Sequence, residues 1–331
     1  MPFNMPGYES LELSTQIIIK EAIKRNINIE VLDWSDNFIR LKKGNKIEYI
    51  KQATRTSLDS YISPLIMENK IVTKKILAEN NIKVPEGKVF DDKKDALNSW
   101  NLFINKKIVI KPNSTNFGKG ITILPDNQSY NDFNNAIEYA FKFDGSVIIE
   151  EFIEGNEYRF LIIGHEVAAV LQRIPANVIG DGKHTVKELI EIKNKDPLRG
   201  AGYVTPLEKI KLNQAEKKFL KLQGKNIRYT PKKNEQVFLR KNSNISTGGD
   251  SIDYSDEVID EYKNIALDAA KAVQAKICGA DIIIKNIKEK PDENNYAIIE
   301  LNFNPAIHIH NFPYKGKNRK TGGKILDLLG F

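Results

Sequence analysis

The segment IIELNFNPAIHIH, residues 298–310, carries the clearest chemical signal in this sequence. An apolar run leads into Glu300 and Asn302, which lie two positions apart. In a β-strand, side chains two apart point to the same face, so both would offer oxygen atoms to one point. Hard oxygen ligands of this kind suit Mg²⁺ or Mn²⁺. The segment therefore predicts a metal-binding strand, and the histidine pair His308 and His310, with the same spacing, leaves a zinc site as an alternative.

Asp281 extends the predicted metal site. It begins the apolar run DIIIKNI, and this run should pair antiparallel with the strand that holds Glu300 and Asn302. Three oxygen ligands would then converge at neighbouring strand ends, with water and phosphate oxygens completing an octahedron. The alternative for each acid is an ordinary surface carboxylate.

The segment VIKPNSTNFGKGI, residues 109–121, is a candidate phosphate-binding loop. Lys111 closes an apolar strand, where a lone ammonium group would be costly unless an anion meets it. Hydroxyls and backbone amides of the following loop could surround phosphate oxygens, and they belong to Ser114, Thr115, Gly118 and Gly120. The Walker A pattern is absent from the sequence, and an ordinary turn remains the alternative.

Two further segments offer polar groups. In VIIEEFIEGNEYRF, Glu150 and Glu151 could meet the amino edge of adenine and Glu157 could accept hydrogen bonds from ribose, although a solvent-facing hinge has the same pattern. In LRKNSNISTGGDS, an arginine beside small polar residues suits a carboxylate or phosphoryl group, and a plain glycine loop is the alternative. The residues concerned are Arg240, Asn244, Ser246, Thr247 and Gly248, with Arg173 as another arginine candidate.

Composition limits the classes of function. The chain has 331 residues, 41 % of them apolar, a net charge of +7 from dispersed lysines, and one cysteine, Cys278. No segment is apolar enough to span a membrane, and no basic cluster carries a nucleic-acid-binding signature. These features predict a cytoplasmic protein with neither a membrane nor a nucleic acid as partner. Strands and helices mix without strict alternation, which favours an α+β fold.

Taken in chain order, these segments resemble the ATP-grasp superfamily from Asn69 to the end of the chain. The resemblance implies two α+β lobes that clasp ATP, preceded by a short N-terminal α/β segment, with bounds 1–68, 69–153 and 154–331. It also implies roles for individual residues. Lys70 and Lys111 would contact the nucleotide, and the 113–120 loop would close over the triphosphate. Adenine would be bound by Glu150, Glu151 and the backbone of Ile153, and ribose by Glu157. Two Mg²⁺ ions, or Mn²⁺, would be held by Asp281, Glu300 and Asn302.

One position departs from the superfamily pattern. The D-alanine ligases of the superfamily carry an arginine just before the first metal-binding aspartate, whereas Ala280 stands there in this chain. Arg240 is expected to take that role, and Ser246, Thr247 and Gly248 would hold the transferring group beside it. Arg173, Arg240 and Asn244 are the expected substrate contacts.

A narrower resemblance concerns the substrates. RIPANVIGDGKHTVKELI, NKDPLRG and LRKNSNISTGGDSID occur in this order in cyanophycin synthetases and in fused glutamate–cysteine ligase/glutathione synthetases, and residues 14–70 are similar to the fused enzyme. The resemblance implies a ligase that joins γ-glutamylcysteine to glycine and acts as a homodimer. The glutamate–cysteine ligase module that precedes this region in the fused enzyme is missing from the sequence, so the chain uses γ-glutamylcysteine made elsewhere, is an excised half of a fused enzyme, or takes another substrate pair. A cyanophycin-like or D-amino acid ligase and a catalytically silent nucleotide-binding module remain alternatives.

Overall fold

The computed structural model describes residues 3–115, 119–202 and 204–331. Its helices are α1 (Leu13–Lys24), α2 (Ile62–Glu68), α3 (Lys70–Glu79), α4 (Lys93–Asn98), α5 (Trp100–Phe103), α6 (Tyr130–Phe141), α7 (Val186–Lys193), α8 (Gln214–Leu222), α9 (Asp260–Ala272), α10 (His308–Asn311) and α11 (Thr321–Leu328). Its strands are β1 (Asn28–Asp33), β2 (Phe38–Lys43), β3 (Lys46–Lys51), β4 (Gly87–Phe90), β5 (Ile108–Pro112), β6 (Thr122–Leu124), β7 (Val147–Glu151), β8 (Asn156–Ile163), β9 (Glu166–Ile174), β10 (Asn177–Ile179), β11 (Arg199–Gly200), β12 (Leu207–Glu208), β13 (Gln236–Phe238), β14 (Asp250–Asp253), β15 (Ile277–Ile284) and β16 (Tyr296–Asn302).

A five-stranded antiparallel sheet of order β14-β9-β8-β15-β16 organises the C-terminal part of the chain. Most residues of its central strands are buried, because both faces are covered along much of their length. On β8, Phe160 and Ile162 enter a core with α9, whereas Leu161 and Ile163 enter a second core on the opposite face. The expected antiparallel pairing of the strands that hold Asp281 and Glu300 is confirmed.

The second core joins the N-terminal residues to this large sheet. Helix α1 and the three-stranded sheet β1-β2-β3 contribute Ile18, Leu41 and Ile50, which pack with Leu161 of β8 and Leu326 of α11. These side chains are fully buried. The N-terminal unit therefore covers one end of one face of the large sheet, and residues of that face beyond it stay open.

A separate lobe is formed by residues 87–151. Its antiparallel sheet has the order β4-β7-β5-β6, and helix α6 covers one face with Phe133 and Ile137 against Ile110 and Ile149. Every buried residue of this core lies between Ala96 and Ile149. The lobe thus has its own core, and its strand β5 delivers Lys111 toward the large sheet. The antiparallel sheets and mixed helices confirm the α+β prediction.

Residues 176–239 form a small unit inserted between β9 and β14. Strands β10 and β13 pair antiparallel, and helices α7 and α8 pack Val186, Ile190 and Leu220 around Val237. Because its flanking strands β9 and β14 are neighbours in the large sheet, the unit is held beside the polar end of that sheet. Among the described residues, no helix is long and apolar enough to cross a membrane.

Candidate active site

A cavity of about 420 Å³ lies between the large sheet and the 87–151 lobe. Its floor is the open end of the sheet face that the N-terminal unit covers elsewhere. The lobe contributes Lys111, Thr115 and Ile121 to the opposite wall. Candidate residues from the sequence that line this cavity include Lys70, Lys111, Thr115, Glu157, Arg173, Asn244, Ser246, Asp281, Glu300 and Asn302.

Strand register creates a row of charged side chains on the cavity floor. Asp281 of β15 lies directly opposite Arg159 of β8 and, on its other side, opposite Glu300 of β16. Directly opposed residues of antiparallel strands point to the same face, so the three side chains form one row. Asn302 lies opposite Gly279, and its Nδ2 donates to Asp281 Oδ2 at 3.2 Å. The three predicted metal ligands are therefore adjacent.

Both arginines on the floor bind Asp281. Arg159 donates from Nη2 at 2.8 Å and also from Nε, and Arg173 donates from Nη2 at 2.9 Å. Burial alone would raise the pKa of Asp281, but the two guanidinium charges outweigh it and lower that pKa. Burial opposes the charge of Arg159 too, yet Asp281 raises the pKa of this arginine. Asp281 is thus held as a carboxylate.

The donor set fits a divalent cation of the Mg²⁺ type. Asp281 and Glu300 supply carboxylate oxygens and Asn302 an amide oxygen, which are the hard ligands that such ions prefer. Among residues 3–115, 119–202 and 204–331, no group of three or more His, Cys, Asp or Glu side chains could hold a metal ion. A cation bound here would therefore need Asn302 and non-protein oxygens, from water or a phosphate, alongside the two carboxylates.

The prediction that His308 and His310 share a strand face is wrong. Pro305 follows the strand, and the histidines lie in the short helix α10, where residues two apart do not share a face. His308 pairs through Nδ1 with Ser14 Oγ at 2.8 Å. Burial lowers the pKa of His308 to about 4 and that of His310 well below its ordinary value, so both are neutral near pH 7.

Lysines close the upper side of the cavity. Lys70 Nζ lies 3.3 Å from Glu300 Oε1 and donates to the carbonyl oxygen of Thr115 at 2.8 Å, so it ties strand β16 to the loop after β5. Lys111 Nζ lies 2.7 Å from Glu150 Oε1, and Lys74 pairs with the other oxygen of the same carboxylate. Burial and then the Lys111 charge lower the pKa of Lys74 to about 8. Lys74 was missed from the sequence, although its four-residue spacing from Lys70 on α3 was a usable signal.

The residues expected to bind adenine lie away from the cavity lining. Glu150 is buried, and the lysine charges overcome the effect of burial to lower its pKa. Glu151 accepts a hydrogen bond from the backbone of Glu86 at 3.0 Å, and Ile153 follows β7 in the connection to β8. Glu157, expected at ribose, lines the cavity and pairs with Arg173 and with the hydroxyl of Ser243.

The loop before β14 supplies two of its predicted residues to the cavity. Asn244 and Ser246 line it, together with Asn242 and Ser243, which the sequence analysis did not single out. Thr247 instead donates to the carbonyl oxygen of Asn244 at 2.9 Å. Gly248 has φ +93°, and a side chain there would also collide with Ile210, so it shapes the loop.

The structure does not bring Arg240 to the cavity. Its Nε donates to Glu216 Oε1 at 2.6 Å, on helix α8 of the inserted unit. Arg159 occupies the position beside Asp281 that was expected of Arg240, and Gly279 makes room for it, since an added Cβ would lie 2.9 Å from Arg159 Cδ. A charged residue inside the apolar run EYRFLII was the sequence signal for Arg159.

The candidate phosphate loop is described only in part. Ser114 donates its backbone N–H to Asp144 at 2.7 Å, and Gly120 has φ +76° with Pro112 and Phe143 packed close to it. Thr115 lines the cavity. Gly118 lies outside the described residues, so its predicted phosphate contact stays a prediction.

Comparison with known proteins identifies the fold family. The model of an ATP-grasp-like domain matches residues 9–62, and that of the phosphoribosylglycinamide synthetase ATP-grasp (A) domain matches residues 68–178. The glutathione biosynthesis bifunctional proteins GshAB of Clostridium perfringens and Listeria welshimeri are 61 % and 54 % identical over 99 % of this chain, which covers 42 % of each. The crystal structure of a bifunctional glutathione synthetase from Pasteurella multocida superposes with a TM-score of 0.78 at 46 % identity, over 99 % of this chain and 45 % of that one.

The chain thus spans less than half the length of these relatives, while nearly all of its own length is matched. The ATP-grasp fold that the sequence analysis expected is confirmed. The chain has the ATP-grasp fold, and nearly all of its length is similar to part of the bifunctional glutathione biosynthesis proteins.

Proposed function

We propose that this chain is an ATP-dependent carboxylate–amine ligase that joins γ-glutamylcysteine to glycine, with glutathione, ADP and phosphate as products. The row of Arg159, Asp281 and Glu300, with Asn302 beside it, is the observation that carries the proposal. It puts hard oxygen ligands and fixed positive charge at one end of a cavity large enough for small substrates. The names of the relatives support the choice of substrates.

The chemistry needs an activated carboxylate, because a free carboxylate is a poor electrophile. In the proposed route, the cysteinyl carboxylate takes the γ-phosphoryl group of ATP, which gives an acyl phosphate and ADP. The amine of glycine then attacks the acyl carbon, and phosphate leaves from the tetrahedral intermediate. Such a route asks the protein for positioning and positive charge rather than for a covalent nucleophile.

The cavity residues divide these tasks. Asp281, Glu300 and Asn302 would hold Mg²⁺, or Mn²⁺, and two bound ions would offset negative charge on the phosphates. Lys70, Lys111 and the floor arginines would position the phosphoryl groups. Enclosure between the lobe and the sheet would keep water from the acyl phosphate. Binding of the cation requires Asp281 and Glu300 to share their oxygens with it and give up part of their present ion pairs.

Measurement of ADP tests the proposal. Wild-type protein mixed with ATP, Mg²⁺, γ-glutamylcysteine and glycine should release ADP and glutathione in equal amounts, and EDTA should stop both. Glu300→Gln should lower kcat/KM by more than about 100-fold, since even groups that only support metal ligands are worth ~10- to 100-fold. Glu293→Gln, an exposed glutamate, is the matched control and should behave like the wild type.

The possible outcomes separate the alternatives. ADP release with other amino acids or dipeptides, but not with γ-glutamylcysteine and glycine, would reassign the chain to another peptide or amino acid ligase. Nucleotide binding without ADP release from any acceptor would indicate a silent module. Wild-type turnover of Glu300→Gln would refute the metal role of that residue.

The assembly and location follow from the same proposal. We expect a homodimer, in the cytoplasm, that takes the γ-glutamylcysteine produced by a glutamate–cysteine ligase. Sedimentation equilibrium checks the dimer, and a coupled assay with a separate glutamate–cysteine ligase checks the supply of the dipeptide.

A further inference from the structure

Arg55 enters the cavity from the N-terminal unit. Its backbone is fixed by paired hydrogen bonds with Lys51 at 3.2 and 2.9 Å, just after β3. The neighbouring Thr54 hydroxyl donates to Asn304 Oδ1 at 2.8 Å, which anchors this segment to the chain beyond β16. The Arg55 guanidinium lies 5.1 Å from the ring centroid of Phe303, the residue after Asn302. Its approach to the cavity is thus well defined.

Arg55 differs from the other cations of the cavity in having no carboxylate. Within the described part of the chain, the ion pairs there engage Lys70, Lys111, Arg159 and Arg173, but none engages Arg55. The Arg55 Nε is buried and makes no hydrogen bond to any described residue. A buried donor without a partner is costly, and a ligand that accepts from it would remove that cost.

We infer that Arg55 binds a substrate carboxylate that is not consumed in the reaction. This inference rests on the proposed function, in which the cysteinyl carboxylate reacts while two others persist, the glutamyl α-carboxylate of γ-glutamylcysteine and the carboxylate of glycine. The planar guanidinium fork matches a carboxylate in a bidentate arrangement. Stacking on Phe303 holds the fork in one orientation and reduces the entropy lost on binding.

Position separates this contact from the metal end of the cavity. Lys70, Arg159 and Arg173 are bonded to Glu300 and Asp281, so their charge is committed to the region where phosphate and cation would meet. Arg55 is attached to the N-terminal unit, beyond Asn302, and makes none of those bonds. A spectator carboxylate at Arg55 would orient the substrate so that its reacting group points to the metal end.

Amide analogues of the substrates test the inference without changing the protein. The wild type is assayed with γ-glutamylcysteine whose glutamyl α-carboxylate is an amide, and separately with glycinamide in place of glycine. We expect one of the two amides to lower kcat/KM by about 10- to 100-fold, the range for a charge-assisted bidentate pair. The amide that shows the loss identifies the carboxylate.

The variant Arg55→Met tests the same contact by changing the protein instead of the substrate. This variant keeps the length of the side chain and its apolar contact with Phe303 but removes the guanidinium group. It should raise KM for the identified substrate by a similar factor and leave KM for ATP unchanged. It should also no longer distinguish that substrate from its amide analogue. Arg55→Lys should distinguish them partly, because it keeps the charge, and it replaces the Met variant if the latter fails to fold. Arg228→Met, an exposed arginine, should match the wild type.

The failures of the two proposals are distinguishable. Wild-type protein that releases no ADP with γ-glutamylcysteine and glycine overturns the proposed function and this inference with it. Normal turnover with neither amide impaired, or with the same amide penalty in wild type and Arg55→Met, overturns the inference alone. A variant that lowers kcat for all substrates equally also overturns it, because that result indicates a structural role.

Discussion

A single buried carboxylate shared by two lysines sets the charge at the lobe side of the cavity. Lys74, Lys111 and Glu150 together carry one net positive charge when both lysines are protonated. Lys74 also lines a small pocket that shares Lys70 and Glu300 with the main cavity. Its pKa of about 8, lowered by burial and by Lys111, places the loss of this charge within an accessible pH range.

Affinity for an anionic nucleotide should therefore fall as the pH rises through about 8. Below this pH the group of three attracts an anion, and above it Lys74 is neutral and the group has no net charge. We expect ADP affinity to drop by about 3- to 10-fold, as for a partly screened charge worth roughly 1 kcal/mol. Isothermal titration calorimetry from pH 6.5 to 9.5 measures this.

The matched controls are adjacent on the same helix. Lys74→Met should lose the pH step near 8, and Lys75→Met, at an exposed neighbour, should keep it. A step of equal size in Lys74→Met would assign the titration to another group.

The adjacency of the three predicted metal ligands could be inferred from local sequence patterns. Asp281, Glu300 and Asn302 follow from strand period and pairing, and the structure puts them side by side. Arg240 was predicted because it lies beside small polar residues in the sequence, but its side chain is bound by Glu216, 24 residues away. Prediction of the contact between Arg159 and Asp281 required knowledge of the β8–β15 register, because these residues are 122 positions apart in the sequence.

At the scale of elements, one carboxylate fixes the loop before β14. Asp250 accepts hydrogen bonds from Lys193 of α7 at 2.6 Å and from Asn177 of β10 at 2.9 Å, and it pairs with Arg199 of β11. Arg199 also donates to the carbonyl oxygen of Gly248 at 3.1 Å. The inserted unit is thereby tied to the loop that carries Asn244 and Ser246.

Asp250→Asn should cost about 3 kcal/mol or more of unfolding free energy, because it leaves a buried charge without its partner. The Arg199 side chain is 0 % exposed, so water cannot replace the carboxylate. Glu30→Gln is the control, since its pair with Arg40 is solvent-exposed and its loss should leave stability nearly unchanged. Urea unfolding followed by circular dichroism measures both, and equal losses would contradict the role given to Asp250.

Element prediction failed where tertiary contacts outweighed local preference. Ser14 precedes a periodic apolar segment, a position typical of a helix cap, but α1 begins at Leu13 and the Ser14 hydroxyl is buried against His308. The 308–310 segment continues an apolar pattern, yet it folds as α10 after Pro305. Strands such as β5 and β8 were predictable because their apolar runs are long and bounded by polar turns.

At the scale of the whole molecule, the chain before position 68 shares a core with the large sheet. Residues before it pack with β8, β9 and α11, whereas the 87–151 lobe has a core of its own. No local pattern reveals this, because alternation shows that a strand face is buried but not what covers it. The N-terminal unit and the large sheet should therefore lose structure together, and the lobe separately.

Ile18→Ala tests this coupling. Ile18 of α1 is 0 % exposed and packs in the core shared with the large sheet, so its truncation should cost about 2–5 kcal/mol. Hydrogen exchange should accelerate in α1, in residues 161–169 and in α11, and stay unchanged in residues 108–149 of the lobe. Ile23→Ala, on the same helix but 46 % exposed, should leave all of these amides protected. Faster exchange confined to residues before 68 would show that the N-terminal unit is independent, and faster exchange in the lobe as well would show that the three units unfold as one.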